Sequence, residues 1–397
     1  MNQPLAGLRV IDFATLAAAP TAATYLAEFG ADVIKVEQTG SGDPIRSWSA
    51  MKDGVSLIWR SAARNKRSVT IDLHTAEGRE LLRRLIATAD VAVTNFRPST
   101  LQEWGLDYPS LERGNPGLVM LHVTTFGRGG PSSDAPGFGT MAEAMSGFAH
   151  MTGEPDGPPT LPSFPLADFV ASLTATYAVL IALYHRDVND GAGQYVDVNL
   201  LDPLARMLEF SNLQYHESGT ILSRAGNRWD VSAPRNVYQT RDGRWIAISG
   251  SSPAMARRVF VAIGRDDMAS DPAYVDSQSR LERAGEIDDA VASWVGRHDF
   301  AVCMERLKAA GAGAAPIYDA EQLANDPDVL ARSMFIEVED GPGQTFRVQA
   351  PVPRLSKTQG QIRHLGPALG EHTEEVLMGD LGLSPSQLRD LRDRKIV

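Results

Sequence analysis

Cysteine is almost missing from this chain: Cys303 is the only one in 397 residues. That excludes an intramolecular disulfide and any metal site built from several thiolates, and it suits a reducing compartment. Cys303 itself lies in the amphipathic stretch Phe300-Ala-Val-Cys303-Met-Glu-Arg-Leu307, which assigns it to packing. Basic charge is also in short supply. The chain holds 38 Lys and Arg against 49 Asp and Glu, a net charge of −11 with no basic domain, so no nucleic-acid partner is expected. A local Arg or Lys still suffices to hold the phosphate of a small ligand. The start, Met1-Asn-Gln-Pro4, lacks a basic cluster, and Asp12 interrupts the apolar run behind it, unlike a signal segment. No uncharged apolar run of roughly 18 residues stands out, so no membrane span is expected and the cytoplasm is the expected location.

Several signatures are absent as well. There is no G-x-x-x-x-G-K-[ST] loop, no H-E-x-x-H and no G-x-S-x-G elbow. One dinucleotide-like match, Gly137-Phe-Gly139-Thr-Met-Ala142, follows Pro131-Ser-Ser-Asp-Ala-Pro136 and not a strand, so it lacks the context of a nicotinamide site. The eight histidines show no metal-ligand spacing; His150, His298 and His372 read as surface or hydrogen-bonding residues, and no metal is expected.

What is present is an ordinary globular composition, long enough for two domains or one large one. The first third alternates strands (8–13, 30–37, 68–72, 91–94 and 118–124) with helices over about 20–29 and 77–89. Apolar β-rich runs separated by helices predict an α/β fold with a mostly parallel sheet covered on both faces. A second unit is read over about 220–325, with a hairpin-like element at 241–249 and helices at about 253–263, 285–297 and 300–310. Strand-like 345–349 and a helical tail from Thr373 complete the chain.

The most informative single residue is Asp168. It stands where a stretch with Pro155, Pro158, Pro159, Pro162 and Pro165 gives way to an apolar helix from Phe169 to Tyr184, which is expected to be buried on nearly all faces. An acid in such a first turn is either an N-cap or a carboxylate kept ionised by the helix dipole and offered to a ligand as a nucleophile. Local sequence leaves both readings open.

Taken together, the segments resemble the class III CoA-transferase (CaiB/BaiF) family, the group of carnitine, bile-acid and formyl-CoA:oxalate transferases. The resemblance runs through Leu5-Ala-Gly-Leu-Arg-Val-Ile-Asp-Phe13, Gly30-Ala-Asp-Val-Ile-Lys-Val-Glu37, Gly40-Ser-Gly-Asp43, Asn65-Lys-Arg-Ser68 and Asn95-Phe-Arg-Pro98. It continues through Gly127-Arg-Gly-Gly-Pro131, Gly193-Gln-Tyr-Val-Asp197 and Leu369-Gly-Glu-His-Thr373. It implies that Asp168 is the nucleophile, forming first a mixed anhydride and then an aspartyl-CoA thioester. CoA and acyl-CoA are then substrates, with no permanently bound cofactor. It further implies a Rossmann-like large domain from 1–220 and 326–397, a smaller α/β domain at 221–325, and an interlocked homodimer.

By the same resemblance Thr15, Leu16, Ala17 and Ala18 line the thioester region, Ile71, Asp72 and Leu73 lie near the adenine, and Asn95, Phe96 and Arg97 stand beside the nucleotide. Arg97 is the phosphate partner, with Lys35 and Lys66 as lesser candidates. Gln38 and His74 occupy places that are often basic, His74 offering a pH-dependent contact. Gly250, in Gly250-Ser251-Ser252, is similar to the family's covering glycine loop; an ordinary turn is the alternative. Ala17 stands where some members carry glutamine, which implies a different or roomier substrate pocket. The related α-methylacyl-CoA racemases place a histidine where this chain has Phe138, which cannot move a proton. An intramolecular CoA-transferring isomerase would use the same Asp168, and a silent acyl-CoA-binding protein is a third reading. Arg224, Arg228 and Arg235 either bind the distal carboxylate of a dicarboxylic acceptor or are solvated loop residues.

Overall fold

The computed structural model describes residues 3–340 and 343–397. The chain divides into two compact units. The first comprises Met1–Ala149, Leu161–Thr220 and Arg332–Val397; the second comprises His150–Thr160 and Ile221–Ala331.

The first unit opens β1 (Arg9–Asp12), α1 (Ala18–Glu28), β2 (Asp32–Glu37), β3 (Lys66–Thr70), α2 (Ala76–Ile86), β4 (Val91–Thr94) and α3 (Pro98–Trp104). It continues with β5 (Val119–Thr124), α4 (Gly139–Met145), α5 (Leu166–Val188), β6 (Tyr195–Asn199) and α6 (Glu209–Ser218). The six strands form one parallel sheet in the order β3-β2-β1-β4-β5-β6. This is the doubly wound order whose direction reverses between β1 and β4, so the crevice outside the C-terminal ends of those two strands is the place a ligand is expected.

Strand alternation sends successive side chains to opposite faces. Val10, Val33, Val93 and Leu121 pack with α1 and α5 on one side; Ile11, Ile34, Ala92 and Met120 pack with α2 on the other. Burial on both faces explains why these strands read as continuous apolar runs. Helix α5 lies against α1 through small residues at every fourth position, Ala167, Ala171 and Ala175, with Ser172 Oγ donating to Ala18 O at 2.7 Å.

The expected all-round burial of α5 is not what the structure shows. Leu173, Tyr177, Ile181 and Tyr184 form an exposed apolar stripe, Tyr184 being 70% exposed. The expectation of no membrane-length segment is corrected too: α5 is long and apolar enough by length and composition, with a mean hydropathy of 1.8. Its alanine face is nevertheless used for packing within the unit.

In the second unit, β7 (Arg235–Gln239), β8 (Trp245–Ser249) and β9 (Ala314–Pro316) form an antiparallel sheet, flanked by α7 (Pro253–Ala262), α8 (Ala284–Val295) and α9 (Phe300–Ala309). Its core is Tyr238, Ile246, Ile248, Phe260, Ile287 and Leu307, with Cys303 fully buried among them. The chain then returns to the first unit through the hairpin β10 (Phe335–Glu339) and β11 (Thr345–Gln349), then α10 (Thr373–Gly379) and α11 (Pro385–Asp393). Only the second strand of that hairpin is legible in the sequence.

Candidate active site

The crevice predicted by the strand order exists. It is a cavity of about 760 Å³ lined by Thr15–Ala18 after β1, Asn95 and Arg97 after β4, and Asp168 on α5. That volume is in the range of small-molecule sites. Thr15 and Asn95 bridge the gap: Asn95 Oδ1 accepts from the Thr15 amide at 2.9 Å and Asn95 Nδ2 donates to Thr15 O at 2.8 Å. Leu16 follows in the left-handed region at φ 67°, a costly place for a non-glycine residue.

Buried charge holds that turn in place. Asp43 Oδ1 accepts from the Leu16 amide at 3.0 Å, and Asp43 Oδ2 pairs with Lys35 Nζ at 2.9 Å. Lys35 also donates to Ala14 O, while Lys66 Nζ pairs with Asp12 at 2.9 Å and donates to Pro20 O at 2.7 Å. All four side chains are sealed from solvent. Burial alone would pull the Lys35 ammonium down, but Asp12, Asp43 and Glu37 overcome it and push it up to about 12. Burial alone would raise the Asp43 carboxyl; Lys35 and the amides of Ile45 and Leu16 hold it below its ordinary value instead. Lys35 and Lys66 are therefore committed internally and are not phosphate ligands.

Asp168 is the third residue of α5, behind Pro165 at the N-cap. It reaches no other first-turn amide: among the described residues, the one amide its carboxylate engages is its own. The orphan Ala167 amide is instead taken by Glu143 Oε1 of α4, at 3.2 Å. Burial, and then the Glu143 charge, push the Asp168 carboxyl up to about 6. A carboxylate held low by the helix dipole is thus corrected to one whose proton is held more tightly than usual, though still lost at neutral pH. Gly139 faces it so closely that a Cβ there would collide with Asp168 Oδ2.

The remaining nucleotide-site residues separate into two groups. Leu16, Ala17, Ala18, Asn95 and Arg97 share the cavity with Asp168. Gln38 and His74 meet on Asp72: Gln38 Nε2 donates to Asp72 Oδ1 at 3.0 Å, and His74 Nδ1 lies 2.9 Å from it. Phe96 sits against Trp104, which in turn sits against the exposed His74. Ile71 is fully buried and Leu73 nearly so, both in the core on the α2 side. The Ile71 side chain, one residue past β3, is packed inside that core.

The segments match the sequence profile of CoA-transferase family III from residue 5 to residue 373. The chain belongs to CoA-transferase family III. It is 41% identical over 398 residues to the succinyl-CoA–L-malate CoA-transferase beta subunit of Chloroflexus aurantiacus, covering 99% of this chain and 98% of the relative. To the succinyl-CoA–D-citramalate CoA-transferase of the same organism it is 38% identical over 396 residues, covering 100% and 98%. A CAIB/BAIF family protein from Brucella suis of known structure superposes with a TM-score of 0.83 at 31% identity, over 96% of this chain and 100% of that one.

Other expected parts of this CoA-transferase stand elsewhere. Gly250 closes β8 in the second unit, its amide donating to Pro234 O at 2.6 Å, and a Cβ there would strike Pro234 and the Ala256 backbone. With Ser252 Oγ capping α7, the segment forms a strand-to-helix turn in which Gly250 is packed while Ser251 and Ser252 are exposed. Arg224 donates to Gly157 O and His150 O, and Arg228, a loop residue whose side chain is 45% exposed, pairs with Asp288 at 2.6 Å. Arg235 donates to Asn227 O and lies over Trp229.

Sequence reasoning missed Glu143, Gly139 and the anchor beneath Asn95–Arg97. That anchor is His122, whose Nε2 is 2.7 Å from Phe96 O and whose Nδ1 is 2.6 Å from the Tyr195 hydroxyl. Burial holds the His122 imidazole below its ordinary value, so it bridges the two as a neutral ring. The available signal for Glu143 was one acid in the otherwise apolar run Met141-Ala-Glu143-Ala-Met145.

Proposed function

We propose that this CoA-transferase moves CoA from an acyl-CoA donor, succinyl-CoA, to a small dicarboxylic acid through covalent intermediates on Asp168. The observation that carries the reading is an uncapped carboxylate in the cavity at the sheet's switch point. Two relatives that match over nearly their whole length are named for succinyl-CoA as donor, with malate and citramalate as acceptors.

Asp168 attacks the thioester carbonyl, the C–S bond breaks, and a mixed anhydride forms with release of CoA thiolate. The thiolate attacks the aspartyl carbonyl and expels the donor acid, leaving an aspartyl-CoA thioester. The acceptor carboxylate displaces CoA to form a second anhydride. CoA then attacks the acceptor's carbonyl and frees Asp168. Relay through the enzyme keeps the thioester's energy from being lost to water. Thr15–Ala18 take the thioester end, and Arg97, the one basic residue among those lining the cavity, takes a phosphate. The Gln38, His74 and Phe96 surface receives the adenine end.

A second copy of the chain covers the apolar stripe Leu173, Tyr177, Ile181 and Tyr184, together with exposed Phe210 and Leu213 on α6. Such a stripe is costly in water and fits the homodimer that the family resemblance implies.

The test is CoA transfer from succinyl-CoA to malate, citramalate, glutarate and acetate, with wild type and Asp168→Ala. Transfer to the dicarboxylates, lost in Asp168→Ala while CoA still binds, is expected. Preference for acetate would sink the acceptor class, and turnover by Asp168→Ala would sink the nucleophile.

A further inference from the structure

Helix α4 carries Gly139 and Glu143 four positions apart, hence on one face. Both residues meet the start of α5. Glu143 is 4% exposed, and a carboxylate that deeply buried is costly unless it is bonded. Its partner is the Ala167 amide, 24 residues away in sequence. Pro165, at the N-cap of α5, has no side-chain oxygen to offer that amide. A first-turn aspartate would ordinarily fold back to fill the vacancy. With Glu143 in place Asp168 has no such duty, and Gly139 leaves room for its Oδ2.

We propose that Glu143 is a positioning residue for Asp168, capping α5 from α4 so that the Asp168 carboxylate stays uncapped in the cavity. The inference rests on the reading of Asp168 as nucleophile. Glu143 has a second effect through its charge, which adds to burial in making Asp168 hold its proton more tightly. A carboxylate that holds its proton more tightly is a stronger nucleophile once ionised, and at neutral pH Asp168 is still mostly ionised.

Glu143→Gln separates the two effects, because the amide oxygen still accepts from Ala167 while the charge is gone. Asp168 is titrated by carbon NMR in protein labelled at the aspartate carboxyls, its resonance identified by its loss in Asp168→Asn. The expected result is a downward shift of roughly half a pH unit or more in Glu143→Gln. The acid limb of kcat/KM should move the same way, with KM for succinyl-CoA unchanged within about twofold. Glu143→Ala, which also removes the cap, should lower kcat by about tenfold or more.

A kcat in Glu143→Ala that matches Glu143→Gln overturns the proposal, and covalent labelling of Asp168 in the wild type would then leave the proposed function standing. A titration that moves in Glu143→Gln without the rate profile defeats Asp168 as nucleophile, and the positioning role with it. Glu143→Met, which fills the same buried space but removes both charge and cap, replaces Glu143→Ala if that variant does not fold.

Discussion

Asn95 holds the backbone of Thr15 from both sides, accepting its N–H and donating to its C=O across the gap between β1 and β4. This clasp fixes the turn that lines the cavity opposite Asp168. Asn95→Ala is expected to cost about 1–2 kcal/mol of stability for two half-buried hydrogen bonds. It should also lower kcat/KM for acyl-CoA by about tenfold, because the turn loses its register. Urea unfolding and steady-state kinetics on one preparation check both.

Gly139→Ala asks whether the orientation of Asp168 matters. The new methyl group meets the far end of a rotatable side chain, so the carboxylate can swing away at small cost to the fold. Stability should change by less than about 1 kcal/mol while kcat falls by about tenfold or more. A variant with normal kcat would show that the observed carboxylate position is not the reactive one.

Proton affinity at Asp168 sets a pH dependence of definite sign. With its carboxyl pushed up to about 6, the nucleophile is protonated below that pH, and kcat/KM should fall about tenfold per unit on the acid side. For stability, the folded-state value lies above the unfolded one, so the fold favours protonated Asp168. That contribution is fully present below about pH 4 and is lost as pH rises through about 6. Asp168→Asn should therefore be inactive, yet more stable than wild type at pH 7.5 by about 1–2 kcal/mol after allowance for its partial exposure. The difference should vanish near pH 4, and paired thermal melts across that range measure it.

Lys35→Met breaks the buried pair with Asp43 and leaves a carboxylate without its cation. A loss of about 3–5 kcal/mol is expected. Adding Asp43→Asn removes the stranded charge and should recover part of it, because the penalty lies in the unpaired ion. If the double variant is no more stable than the single, the pair is not the unit that carries the loss.

These contrasts show what the sequence could and could not reveal. The strands from β1 to β5 were legible because burial on both faces leaves unbroken apolar runs. Asp168 was legible because a run of prolines and an apolar helix frame it. Glu143 was not, since one acid on a short helix reads as solvent-facing until α5 packs over it. The stripe on α5 shows the converse: Tyr177 and Ile181 are as apolar as a core, and composition does not say whether the chain itself covers them. Family position placed Ile71 near the nucleotide but not the direction of its side chain. Lys35 resembled a phosphate ligand because nothing local links it to Asp43.

The central claim is tested most directly by trapping. The protein is incubated with succinyl-CoA, quenched with hydroxylamine or borohydride, and the peptide containing Asp168 is read by mass spectrometry. The account predicts the hydroxamate or the reduced alcohol on Asp168, absent from Asp168→Asn and absent without the thioester. CoA transfer that proceeds while Asp168 stays unmodified would contradict it and return this residue to a passive place in the first turn of α5.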